Sequence, residues 1–233
     1  MNKRSNGKMK YRMLSILGLV IFFGVWEAAV RLGWVSHRSL NAPSEVVETF
    51  IYKLTNANPD GSTLPQHFFQ SLKLALTSFI IATIIGVPLG WIMGYYKVAD
   101  FLLNPLFEII RPIPPIAWIP IVILTMGIGM SAKVFIIFVA AFVPNVINSY
   151  LGIRLTDATL INVAKTFGAS DWKIFTTVCI PSSMNMVFTG IRLSLNASWT
   201  TLVAAEMLAS IRGLGYMIQM GRTIIRPDII IVG

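Results

Sequence analysis

From Leu74 to Tyr96 the sequence runs 23 residues without a Lys, Arg, Asp, Glu or His. A hydrocarbon core about 30 Å thick is crossed by roughly 20 apolar residues in a helix. The run is far longer than a barrel strand and lacks the two-residue alternation that such a strand requires. It is one of a series: Met13–Leu32, Phe101–Met126, Val134–Ile153 and Ser182–Leu208 are also long and poor in charge. Lipid offers backbone groups no hydrogen-bond partner, so each run must be helical. Charged residues make up 12% of the chain and mean hydropathy is +0.71, about half the charged share of a soluble domain. The fold class is therefore all-α, a polytopic membrane helical bundle.

Charge sets the orientation. Net charge is +9, and five of the nineteen cations (Lys3, Arg4, Lys8, Lys10 and Arg12) stand just before the first run. This is the positive-inside signal and places the N-terminus in the cytoplasm. Residues 1–12 form a cytoplasmic basic segment and residues 13–233 a single transmembrane domain. The cations form no patch, so nucleic acid is not a partner. The first run outlasts a signal-peptide core and is read as a retained span. Alternating the spans puts Gly33–Gln66 outside as a polar loop, Lys97–Asp100 inside, Gly127–Lys133 outside and Thr156–Pro181 inside. Nine cations then lie inside and six in the outer loops. A further apolar run, Asp228–Gly233, starts and stops, so about six spans are expected, the last cut short by truncation of the sequence.

The inner segment 156–181 carries a pattern of its own. Asp157 can cap a helix. Leu160, Val163, Ala164 and Phe167 fall at i, i+3, i+4 and i+7 and make one apolar face. Gly168 can close the helix in a left-handed conformation, Ser170 can cap the next, and Pro181 marks a bend into the fifth span. A short amphipathic knob between spans suits a groove on a soluble partner.

The same stretch resembles the cytoplasmic signature of ABC importer permeases: Glu-Ala-Ala, three residues, Gly, nine residues, Ile, any residue, Leu-Pro. The matching positions are Asn162, Val163, Ala164, Gly168, Val178, Ile180 and Pro181, with Asn162 where the signature has its glutamate. Arg111–Pro120 (RPIPPIAWIP), Gly127–Gly129, Ala164–Ser170, Val203–Met207 and Gly213–Tyr216 resemble the nitrate, sulfonate, taurine and bicarbonate branch. The resemblance implies a type I ABC importer permease. Two copies would pair in the membrane, and ATP-binding cassette ATPase subunits would dock on Asp157, Leu160, Asn162, Val163, Ala164, Phe167, Gly168, Ala169, Ser170 and Pro181. An external, periplasmic binding protein would deliver a small, anionic solute. ATP and Mg would be held by the ATPase, with no cofactor in this chain, and the location would be the bacterial inner membrane, amid its lipid.

Other residues bear on a path. Pro112, Pro114, Pro115 and Pro120 remove four backbone donors from the third run, which suits a helix start lining protein or water rather than lipid. Arg111 beside them either attracts an anion or snorkels to the interface. Trp118, Asn145, Asn148, Arg192, Asn196, Thr200 and Glu206 are candidates to line the path, the alternative being hydrogen bonds between helices. Gly86, Gly90 and Gly94 let helices approach closely and are candidates for the homodimer contact.

Absences narrow the class. There is no G-x4-G-K-[S/T] phosphate loop, so the chain does not hydrolyse ATP itself; the resemblance implies that a separate subunit does and that this chain is a permease subunit, not an enzyme. Cys179 is the only cysteine and the two histidines, His37 and His67, fall in the outer polar loop, so no metal site is expected. The competing class is a secondary transporter or channel, which would need a coupling carboxylate in mid-membrane, with Glu206 the candidate.

Overall fold

The computed structural model describes residues 3–233, with side chains of Lys3–Lys8, Lys10 and Ala209 excepted, so four of the five cations of the positive-inside signal lie outside the described side chains. In chain order the helices are α1 (Lys3–Arg31), α2 (Pro43–Thr55), α3 (Leu64–Tyr95), α4 (Lys97–Ile110), a 3-10 turn (Pro115–Trp118), α5 (Ile119–Met126), α6 (Met130–Arg154), α7 (Ala158–Thr166), α8 (Asp171–Ile174), a π-turn (Phe175–Cys179), α9 (Ile180–Ala209), α10 (Leu214–Thr223) and α11 (Pro227–Val232). No strand occurs among the described residues. The chain is a membrane helical bundle, as its sequence requires. Four helical stretches are long and apolar enough to cross a membrane: Tyr11–Arg31, Leu64–Tyr95, Met130–Arg154 and Asp171–Leu208.

The third run is broken where its prolines cluster: two helical pieces, Lys97–Ile110 and Pro115–Met126, meet at a bend of 87°, and the pair counted as one span makes a fifth. Pro112, Pro114 and Pro115 supply no N–H over the break, so the helical ladder cannot continue. α4 is amphipathic: Val98, Phe101, Leu102, Leu106 and Ile109 are exposed, while Phe107 is buried against Met93 and Val146. By contrast, α3 stays helical through Pro88.

The chain divides into two compact units, residues 68–215 and the remainder, 1–67 with 216–233. In the larger unit, α6 is the central helix. Gly86, Gly90 and Gly94 of α3 lie on it: a Cβ at Gly90 would stand 2.5 Å from the Val146 carbonyl oxygen and one at Gly94 2.8 Å from Ile153 Cβ. This stripe is therefore used within the chain and is not open to a second copy. On another side of α6, Gly152 meets Ser183 and Gly190 meets Asn148 of the α6–α9 pair, with a hypothetical Cβ 2.8 Å away in each case. Close approach of this kind gives the dispersion contact that holds helices together where lipid removes any hydrophobic driving force. Leu74, Ala75, Ile119, Val122, Ile137 and Leu202 pack one core, and Ile153, Ile174, Phe175 and Cys179 another.

In the smaller unit the polar loop of residues 33–66 is partly helical. α2 begins with Pro43, whose missing N–H is of no consequence in the first turn, and Glu45 accepts from the Ala42 backbone N–H at 3.2 Å. Asn41 donates to the same carboxylate at 2.8 Å, which holds Glu45 below the usual glutamate range. Lys53, 1% exposed, points into the following turn, where it donates to Asp60 Oδ1 at 2.5 Å, the Ser62 carbonyl at 2.7 Å and the Asn58 carbonyl at 3.3 Å. All three ammonium protons are thus used, as a buried cation requires. His67 is buried too, 3.2 Å from Asp60 Oδ2 and stacked on Tyr216. Only His37 is the solvated loop histidine that the sequence suggested. Asp228 of α11 accepts from Thr49 of α2 at 2.8 Å and pairs with Arg226.

Candidate functional site

The segment 156–181 folds from its caps outward. Asp157 accepts from the Thr159 N–H at 2.8 Å, which satisfies one of the donors that a helix start leaves open and holds the carboxyl below the usual aspartate range. Gly168 has φ +75°. There the Gly168 and Ala169 amides return to the Lys165 and Ala164 carbonyls at 2.9 and 3.1 Å, the left-handed helix closure that a residue with a Cβ adopts only at a cost. Ser170 accepts from Lys173 N–H at 3.4 Å and starts α8.

Two details differ from the sequence expectation. Pro181 does not end or start a span: it falls in the first turn of α9, within the continuous helical stretch Asp171–Leu208, so the fifth span begins well before Ser182. A π-turn at Phe175–Cys179, with the Ile180 amide reaching back to the Phe175 carbonyl, loosens the ladder just where the proline ring would clash. The apolar face of α7 is also split. Ala164, with Ile161, packs toward Ile174, Phe175 and Cys179, whereas Leu160, Val163 and Phe167 stand exposed, Phe167 at 86%. Asn162 is exposed beside them and Ala169 packs inward. The segment is anchored below by Tyr95, whose hydroxyl donates to the Asp171 carbonyl at 3.0 Å and whose ring lies 4.9 Å from that of Phe175. Arg154, at the end of α6, pairs with Asp100 and lies over the Tyr150 ring. The result is a short helix on a braced elbow, its outward side an unpartnered apolar stripe.

The path candidates separate into distinct settings. Asn145 is fully buried; its amide donates to Thr83 at 3.1 Å, Ser194 at 2.9 Å and the Ala141 carbonyl at 3.1 Å, tying α3, α6 and α9. Asn148 donates to the Pro144 carbonyl at 2.8 Å and packs on Gly190. Trp118 lies in the 3-10 turn against the α3–α5–α6 core. Arg111 ends α4 and pairs with Glu108 at 2.8 Å, both half-exposed. The two line a cavity of about 400 Å³ with Asn104 and Tyr150. Arg192, Asn196 and Thr200 fall at i, i+4 and i+8 on the exposed face of α9, and Thr200 donates to the Asn196 carbonyl at 3.0 Å. No ion pair joins Arg192 to any described residue. Glu206 is 1% exposed and receives Ser71 Oγ at 2.7 and 2.9 Å and the Gly215 amide at 3.0 Å.

Sequence reasoning missed Ser71, Lys53 and Asp60. Ser71 is one hydroxyl at the edge of an apolar run, and nothing in its neighbours marks it. The Lys53–Asp60 spacing of seven reads as a solvated loop until the turn folds back.

Residues 86–231 match the family described as binding-protein-dependent transport system inner membrane component. The chain is 36% identical over 217 residues to a probable ABC transporter permease protein of Brucella melitensis, covering 93% of this chain and 85% of that protein. It is 33% identical over 223 residues to the taurine transport system permease protein of Escherichia coli, covering 94% and 80%. With the bicarbonate transport system permease protein of Synechococcus elongatus it shares 30% over 227 residues, covering 92% and 81%. Membership of this family implies ATPase and solute-binding protein partners, and makes the chain a transporter subunit rather than an enzyme. The braced knob, the helical spans and these relatives agree: the chain belongs to the binding-protein-dependent inner membrane components, the membrane-spanning permease subunits of ABC importers.

Proposed function

We propose that two copies of this chain pair in the bacterial inner membrane, N-termini in the cytoplasm, and conduct a small anionic solute delivered by an external binding protein. The solute class is a sulfonate, taurine, nitrate or a similar anion. Relatives whose names specify taurine and bicarbonate support it, as does the lone cation Arg192 on the exposed face of α9. Two ATPase subunits, which bind ATP and Mg, each receive one Asp157–Phe167 helix.

The observation that carries this reading is the exposed stripe Leu160, Val163 and Phe167 on a helix whose opposite side, Ile161 and Ala164, is locked to the membrane helices. An apolar stripe in water points to a partner, and a braced one can pass on a push. ATP binding closes the ATPase pair, draws the two α7 helices together and rocks the permease pair from inward-facing to outward-facing.

The decisive test replaces Ala164 or Gly168 by Asp. Ala164→Asp puts a charge in the packed side of the elbow; Gly168→Asp puts a Cβ at positive φ. Both should leave ATP hydrolysis by the assembled complex measurable while uptake of labelled solute into proteoliposomes falls by at least about tenfold, the equivalent of 1.4 kcal/mol. Normal uptake by either variant, or uptake by wild type without ATP, contradicts the reading.

A further inference from the structure

α9 runs 30 residues, about 45 Å at 1.5 Å per residue. One end grows out of the elbow at Phe175–Cys179. Near the other end, Glu206 is buried in a set of contacts that the coupling reading does not use. Ser71 of α3 donates its one proton to the carboxylate and its oxygen accepts from the Leu214 amide at 2.8 Å. The Gly215 amide donates directly to the carboxylate at 3.0 Å. These two amides open α10, whose positive end favours a carboxylate. Lys133 of α6 donates to Ser210, just past the end of α9, at 2.9 Å. The fit leaves no room for side chains: a Cβ at Gly213 would run into the Glu206 carboxylate and one at Gly215 into the Val203 carbonyl.

All of these groups belong to the larger unit, and their place in the chain is particular. Ser71 lies four residues after His67, and Gly215 immediately before Tyr216, the two points at which the chain passes to the smaller unit. One carboxylate therefore gathers both of these passages onto the end of α9.

We propose that Glu206 is a positioning residue for transport: it clamps the far end of α9 to α3 and to residues 213–215, so that displacement of α9 at the coupling end is carried to both passages. This rests on the reading that ATP acts through the Asp157–Phe167 helix. A carboxylate held by a hydroxyl and an amide is a rigid joint, because each donor left without it would be buried and unsatisfied. Glu206, 1% exposed and turned into these contacts, is unsuited to touching solute.

The test needs no solute. Ile211, 89% exposed, is replaced by Cys in the full complex with its ATPase; Cys179 is buried and stays silent. Maleimide labelling is timed with and without ATP plus vanadate. Wild-type background should change its labelling rate by about fivefold or more, the lower range of coupling between sites. Ser71→Ala and Glu206→Gln should each reduce that response to within about twofold, with ATPase pull-down and hydrolysis retained. A purely structural role would not separate hydrolysis from the labelling response. Should Glu206→Gln fail to assemble, Ser71→Ala decides alone. A wild-type response in the assembled variants overturns the clamp and leaves the coupling reading standing. Loss of assembly in both assigns these contacts to folding and also overturns it. Absence of any response in wild type overturns the coupling reading itself, and the clamp with it.

Discussion

The two faces of α9 use polar residues in opposite ways. Toward the chain's own helices, Ser183, Ser194, Ser198 and Glu206 are buried and bonded, the glutamate to Ser71 of α3 and the Gly215 amide, with Gly190 packed on α6. On the opposite face Arg192, Asn196 and Thr200 are exposed, and no described side chain pairs with the arginine. Arg192 sits about 18 Å along the helix from Ile180, near mid-span. A charge there costs about 3 kcal/mol when it faces lipid, so that face meets water or a second copy. Composition alone does not separate the faces: each has hydroxyls, and each has one charge. What differs is whether the partner lies within the chain. A buried polar group in a span is structural until shown otherwise, and an exposed unpaired one is the better candidate for the path.

The sharpest way to break this comparison is at Gly190. Its Cβ position is 2.8 Å from Asn148 Cβ and 3.1 Å from the Pro144 carbonyl. Gly190→Leu forces α6 and α9 apart, at least about 1–3 kcal/mol of overpacking, and should abolish accumulation of folded permease in detergent-resolved membranes. Normal accumulation would mean that the α6–α9 contact is not essential. Arg192→Ala should do the reverse. Assembly and thermal stability stay at wild type while uptake falls about tenfold, or 1.4 kcal/mol, mainly as a raised KM for an anion. Loss of assembly with Arg192→Ala would move that residue to the packing face. Asn145→Ala removes the two hydrogen bonds that tie α6 to Thr83 of α3 and Ser194 of α9. Membrane hydrogen bonds average about 0.6 kcal/mol, so it should destabilise the permease by about 1 kcal/mol in thermal unfolding, with uptake per folded molecule unchanged.

Much of this was legible in the residues. Spans follow from hydropathy because lipid leaves only helices, and the caps Asp157, Gly168 and Ser170 follow from local chemistry that tertiary context did not override. The rest depended on where a helix faces. Ala164 and Phe167 lie on one side by periodicity, but the elbow formed by Ile174 and Phe175 takes Ala164 and leaves Phe167 out. The Gly86–Gly94 stripe announces close packing without naming the partner, which proved to be α6. Pro181 reads as a break until the π-turn before it absorbs the missing donor. His67 reads as a loop residue because its partner Asp60 is brought to it only when the turn after α2 folds back onto Lys53.

The mildest effect concerns α7, which lies between two spans and begins at the exposed Asp157. The Asp157 carboxylate is held below its ordinary value of 3.8 by the Thr159 amide. A carboxyl depressed in the folded state stabilises that state above its unfolded value and loses this as pH falls through the folded one. The cap of α7 is therefore complete at neutral pH and weakens only in acid. In the full chain carrying carboxyl-labelled aspartate, the Asp157 titration should have a midpoint below 3.8, and Asp157→Asn, which caps comparably, should preserve ATPase docking and remove the acid dependence. Asp157→Ala should weaken docking modestly at every pH. A midpoint at or above 3.8 would mean that the carboxylate does not cap the helix in solution. The apolar stripe would then have to hold its place through Ile161 and Ala164 alone.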